Sequence, residues 1–242
     1  MQNENLKESS LQQCKSCAML VATNYCGNCG ESVVVKRISL HGLIHDAIHL
    51  FTHVEKGLLY TLKQLLINPG QMQRTYVEGA RTKFQKPFSV FFICATFAGL
   101  GKYWIAKVLV YYQMVGEVSD ADFHHKYMVL EQIAFLPIST LLTYVFFRKS
   151  KYNYAETGVM MLYTTGMFLV FSTFISALKF IWHELDGSYI EVPVLIIYNS
   201  FTFINFYQPQ KKWVIVIKSI GIFLLMFLMI KTFEEFMLLK MK

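Results

Sequence analysis

The stretch WVIVIKSIGIFLLMFLMIK, residues 213–231, decides the fold. Lys218 is its one interior charge. Coiled as a helix it rises about 28 Å, close to the ~30 Å hydrocarbon core of a bilayer. A run this long and this uniformly apolar predicts a membrane-spanning helix. Four more apolar runs precede it, near 88–110, 130–147, 157–181 and 192–207. The whole chain agrees: 54% of its 242 residues are hydrophobic and 16% are charged, against roughly 25% charged in soluble domains. That composition excludes a disordered chain and a wholly water-soluble globule.

The charges between the runs alternate. Residues 113–129 carry Glu117, Asp120 and Asp122 against Lys126, and residues 183–191 carry Glu184, Asp186 and Glu191. Residues 148–154 carry Arg148, Lys149 and Lys151, and residues 208–212 carry Lys211 and Lys212. The basic loops are expected inside. This puts the N-terminus in the cytoplasm and the C-terminus outside, with Lys240 and Lys242 arguing the other way. Met1 to Gln13 has no charged-then-apolar signal pattern and reads as a flexible start over 1–13. The net charge of +7 then reflects the inner-face bias of a membrane protein rather than a nucleic-acid partner.

Working further outward, four cysteines fall within sixteen residues. Cys14, Cys17, Cys26 and Cys29 follow C-x2-C-x8-C-x2-C. Each pair can offer two thiolates from one tight turn, with Gly27 and Gly30 suiting the second. Four thiolates close a tetrahedral shell, the mark of a structural Zn2+ site. Residues 14–36 are too few to bury a core, so one zinc per chain would supply their folding free energy. Disulfides fit poorly in a reducing compartment. Cys94, inside an apolar run, is expected to be packed and inert.

Residues 38–67 predict one amphipathic helix lying in the membrane interface. Leu43, Ala47, Leu50 and Val54 lie on its apolar face, and Pro69-Gly70 end it. The opposite face carries His41, His45, His49 and His53, a stripe about 120° wide at helical spacing, with Asp46 beside it. That stripe reads as a solvated face, a second metal site or a pH-sensitive site.

The loop over 68–87 gathers Arg74, Arg81, Lys83 and Lys86 before the first apolar run. Such a cluster is expected to contact anionic lipid headgroups, with Tyr76 and Phe84 at headgroup level. Its motifs are L-L-x-x-P-G from Leu65, Y-x-x-G-x-R from Tyr76, and the closing Pro87-Phe88. Together with the cysteine head they resemble a bacterial family of membrane proteins of unknown function. That family joins an N-terminal zinc ribbon to several transmembrane helices. The resemblance is most specific over residues 14–88. It implies a fold outline and the bacterial inner membrane, and it implies no activity. Ala80 stands where the family commonly has a lysine.

Other charges fall in or near the apolar runs. Lys102, Lys107 and Lys179 are expected to snorkel toward the surface. Glu156 and Lys218 are the one candidate ion pair, and Asp120, Asp122, His124 and His125 form a loop that is solvated or binds a cation. The chain has no G-x-x-x-x-G-K-[ST], G-x-S-x-G or H-E-x-x-H motif, so no catalytic residues are assigned. The expected architecture is an all-α polytopic membrane protein of about five transmembrane helices over 88–242, with a small N-terminal zinc-ribbon head. The expected role is a non-enzymatic scaffold or adaptor, embedded in the lipid bilayer, whose head docks a cytoplasmic protein. The rival roles are a transporter or channel for ions, metals or lipids, and a lipid-modifying enzyme. The oligomeric state is left open.

Overall fold

The computed structural model describes residues 11–48, 57–112, 123–182 and 186–241. Two short antiparallel strands open the described chain, β1 (Gln12–Gln13) and β2 (Leu20–Val21). Three short helices follow: α1 (Leu40–Ile48), α2 (Leu58–Ile67) and α3 (Gln71–Val77). Five long helices complete it: α4 (Pro87–Tyr111), α5 (Phe123–Phe146), α6 (Tyr154–Ala177), α7 (Ser188–Phe206) and α8 (Lys212–Met241). All five are long and apolar enough to cross a membrane. The all-α polytopic architecture expected from the sequence is therefore the observed one.

Helix α6 is the axis of the bundle, with α4, α5 and α7 packed around it. Lipid gives apolar helices no hydrophobic reason to associate, so small residues that let backbones approach matter more. On α4 the stripe Cys94, Ala95, Ala98 and Gly101 faces α6. A Cβ on Gly166 of α6 would meet Phe91 Cα at 3.5 Å, and one on Gly101 would meet Thr173 at 2.8 Å. The hydroxyls of α6 satisfy themselves within the helix: Thr164 donates to the Met160 carbonyl and Thr173 to the Leu169 carbonyl, each at 2.8 Å. Cys94 is buried against this seam, as expected of a packed thiol.

Several boundaries move. Helix α6 begins at Tyr154 rather than 157, because Asn153 and Glu156 form a capping box at its N-terminus. Helix α5 takes in residues 123–128, which the sequence reading gave to a loop. The single helix expected over 38–67 is broken: Gly57 is the non-helical cap of α2, at φ −138° and ψ 0°. A Cβ there would crowd the Lys83 carbonyl oxygen at 3.2 Å, so the chain turns where α2 meets the 83–85 backbone. Leu43 is buried in the cluster shared with α4 and α6, not against lipid alone. Residues 49–56, with His49, His53, Leu50 and Val54, lie outside the described residues, as do Asp120, Asp122 and the side chains of Asp46, Ala47, His124 and His125.

The short α5–α6 and α7–α8 turns, at 147–153 and 207–211, lie on the same face of the bundle as the cysteine head. Lys218 joins them: its Nζ donates to the Phe146 carbonyl at the end of α5 at 2.7 Å and sits 5.0 Å over the Phe147 ring. The expected Glu156–Lys218 pair is thus not formed. Lys102 also departs from expectation, turning into the bundle to donate to Ser172 Oγ at 2.7 Å.

Candidate metal centre

The head consists of two knuckles built alike, twelve residues apart. In the first, the Cys14 N–H donates to the Met19 carbonyl at 2.8 Å and the Ala18 N–H to the Cys14 carbonyl at 2.9 Å. In the second, the Cys26 N–H donates to the Glu31 carbonyl and the Gly30 N–H to the Cys26 carbonyl, both at 2.8 Å. Each turn closes through a residue in the left-handed region, Ala18 at φ +62° and Gly30 at φ +71°. Gly30 serves as expected, whereas Gly27 adopts no positive φ. The turns aim two thiols each at one point. Cys14 Sγ stands 3.5 Å from Cys29 Sγ, Cys17 Sγ stands 3.4 Å from Cys26 Sγ, and all four sulfurs lie within 4.8 Å of one another.

Those separations fit a metal. Four sulfurs at 2.3 Å from a tetrahedral Zn2+ would stand about 3.8 Å apart. The thiols lie within hydrogen-bonding reach of one another. The Met19 N–H and the Cys26 thiol pull Cys17 down to about 6. At Cys29 the Glu31 N–H also pulls down, but burial and the three neighbouring thiols outweigh it and push the group up to about 12. The first proton therefore leaves easily and the last is held until a cation replaces it. Cys14, Val21 and Cys26 are the only fully buried apolar side chains in the head cluster, with Val33 packed against them. That core is too small to fold the segment.

The head is fastened to the bundle at three points that the sequence reading did not identify. Glu31 is buried, and its Oε2 accepts from Ser16 Oγ at 2.8 Å, the Arg81 N–H at 2.7 Å, the Thr82 N–H at 2.8 Å and Thr82 Oγ1 at 3.0 Å. Burial raises its carboxyl, but those donors outweigh burial and hold it below the usual range. Val35 packs onto Gly79, whose φ is +117°; a Cβ there would approach Val35 Cγ2 at 2.5 Å. Arg37 then forks onto Glu156, with Nε to Oε1 at 3.1 Å and Nη2 to Oε2 at 2.7 Å, and reaches the Lys151 carbonyl at 2.6 Å. Asn153 Nδ2 adds a bond to the Ile38 carbonyl at 2.9 Å.

These contacts explain the Y-x-x-G-x-R stretch. Tyr76 packs edge-on against Tyr163, Gly79 admits Val35, and the 81–82 backbone receives Glu31. Tyr76 and Phe84 are accordingly buried rather than at headgroup level. Arg74 and Arg81 are engaged by protein: Arg74 bonds Glu78 and Gln208, each at 3.0 Å, and Arg81 donates to the Lys36 carbonyl at 2.8 Å. Lys83 is exposed, and Lys86 lines a concavity shared with Arg37 and Arg81. His41 and His45 are exposed on α1, and among the described residues the four cysteines are the one cluster suited to a metal. The partner of Arg37 lies 119 residues away in sequence, so no local pattern announces it. Asn153-x-x-Glu156 was readable as a capping box.

A family described as a protein of unknown function (DUF3667) matches residues 55–99. The match covers α2, α3, the collar that receives Glu31, and the first half of α4. It does not include the four cysteines of the head. No curated protein and no solved structure matches the chain. The chain is thus similar, over that collar, to a family without an assigned activity.

Proposed function

We propose that this protein is a non-enzymatic scaffold of a bacterial inner membrane, with a zinc-stabilised cytoplasmic head that docks a protein partner. The observation that carries the reading is the head's construction. It is fixed to the bundle by Glu31 and Arg37, and it turns Leu11, Met19, Leu20 and Tyr25 toward solvent. A rigid surface with apolar side chains loses little entropy on binding. Zinc is the metal favoured by four thiolates in a closed shell. The basic loops share the head's face, which supports a cytoplasmic head under the positive-inside rule. Lys83 and Lys86 sit where anionic headgroups would lie.

The test is crosslinking and pull-down from membranes with wild type, Leu20→Asp and Cys14→Ser. A protein captured by wild type and lost from Leu20→Asp, with metal content unchanged, supports docking through this surface. Equal capture by wild type and both variants would remove the head from the interaction and defeat the reading.

A further inference from the structure

Helices α5, α6, α7 and α8 form a ring, each packed on the next and α8 closing back on α5. The ring surrounds a cavity of about 270 Å³, just below the usual range of small-molecule sites. Its wall is apolar, with Phe168, Leu195, Ile222 and Met226. At the deep end Ser139, Thr164 and Ser219 turn their hydroxyl protons onto carbonyls of their own helices, at 2.9, 2.8 and 3.0 Å. These three hydroxyls therefore offer the cavity no free proton.

The other end is polar. Gln132, Ser188, Glu191 and Lys231 line it. Lys231 is engaged, donating to Glu234 Oε2 at 2.8 Å. Glu191 Oε1 is shielded from solvent and has no hydrogen-bond partner among the described residues. A carboxylate oxygen in that state calls for a donor. From Ser219 to Lys231, α8 rises about 18 Å, a little over half the hydrocarbon core. The cavity is therefore about one leaflet deep, with its polar end toward the face opposite the head.

We propose that the cavity binds one single-chain amphiphile from the leaflet opposite the head. Its apolar chain lies among α5 to α8, and its amine or hydroxyl headgroup donates to Glu191. The volume accommodates part of one such chain and leaves no room for a second. An acidic headgroup without a donor would leave Glu191 Oε1 without a hydrogen bond and is disfavoured.

The test uses the purified full-length chain, delipidated in detergent, with monooleoylglycerol carrying a diazirine in its chain. Crosslinks should map to α6, α7 and α8 around Phe168, Leu195 and Met226. Thr165→Phe, which fills the deep end, should lower labelling at least fivefold. Unlabelled monooleoylglycerol and oleoyl lysophosphatidylethanolamine should compete, and the stronger competitor separates a hydroxyl from an amine headgroup. Oleate should not compete with wild type, and Glu191→Gln should narrow that difference. Labelling of the lipid-facing Phe97 and Trp104 as strong as that of the ring would overturn the proposal. So would equal competition by oleate in wild type. Glu191→Gln scarcely changes volume, so an unchanged headgroup preference overturns the proposal even if Thr165→Phe does not fold.

Discussion

Ala18 and Gly30 hold equivalent places in the two knuckles, at φ +62° and +71°, yet only one of them is glycine. A Cβ in the left-handed region costs about 1–2 kcal/mol, of which glycine's looser unfolded chain gives part back. Ala18→Gly should therefore tighten metal retention and Gly30→Ala should loosen it, each by about 0.5–1 kcal/mol. Titration against a chromophoric chelator measures both, and a shift in the same direction for the two would contradict the equivalence of the knuckles. Glu31 invites a different substitution. Four donors converge on its Oε2, so Glu31→Gln leaves donors facing a weaker acceptor, at a cost of about 1.5–3 kcal/mol. Amide exchange at Arg81 and Thr82 should speed up while bound metal stays at one equivalent. Metal loss without faster exchange would mean that Glu31 serves the sulfur cluster and not the anchorage. The cysteines were legible in the sequence because their spacing is local. Glu31 was not, because three of its four donors come from a turn fifty residues on.

Helix α3 is tied to the α5–α6 turn by Glu78, whose Oε1 accepts from Lys151 Nζ at 2.6 Å, Arg74 Nε at 3.0 Å and Tyr152 Oη at 3.2 Å. Burial raises the Glu78 carboxyl, but Lys151 and Arg74 outweigh it and hold it below the ordinary value. The tie is therefore at full strength above the unfolded value of about 4.3. It is lost as pH falls through the lower folded value. Amide exchange over 147–152, corrected for intrinsic rates, should stay flat from neutrality down to about pH 5 and rise only below the unfolded value. In Glu78→Gln it should start high and show no such step. A rise already at pH 6 would assign the tie to another group. At this scale the sequence was legible where the signal was a run of apolar residues, which located all five long helices. It was misleading where an amphipathic pattern ran on through Gly57, which caps α2 beside the 83–85 backbone instead of continuing a helix. Aromatic residues beside a basic loop suggested headgroups, but Tyr76 and Phe84 face Tyr163 and Tyr60 instead.

Across the whole molecule, two independent features bear on orientation. Charge alternation separates the loops into two classes, basic at 148–154 and 208–212 and acidic at 113–129 and 183–191. The fold then groups the basic turns with the cysteine head, since Arg37 reaches Lys151 and Arg74 reaches Gln208. Neither feature depends on the other, and both divide the chain at the same places. The orientation proposed above applies the positive-inside rule to that division, and it predicts the head, Ser150 and the 207–211 turn inside and the start of α7 outside. An impermeant maleimide added to intact cells should modify Tyr189→Cys, which is widely exposed at the outer end of α7. It should spare Ser150→Cys until the membrane is permeabilised. The native cysteines add no background in this arrangement, because the head would be inside and Cys94 is buried in the bundle. Modification of Ser150→Cys alone would invert the molecule and place the head outside, where a reduced thiolate site is hard to maintain. Modification of both in intact cells would put the two ends of the bundle on one side. An even number of crossings between Ser150 and Tyr189 would then be required, which α6 as a single span does not allow.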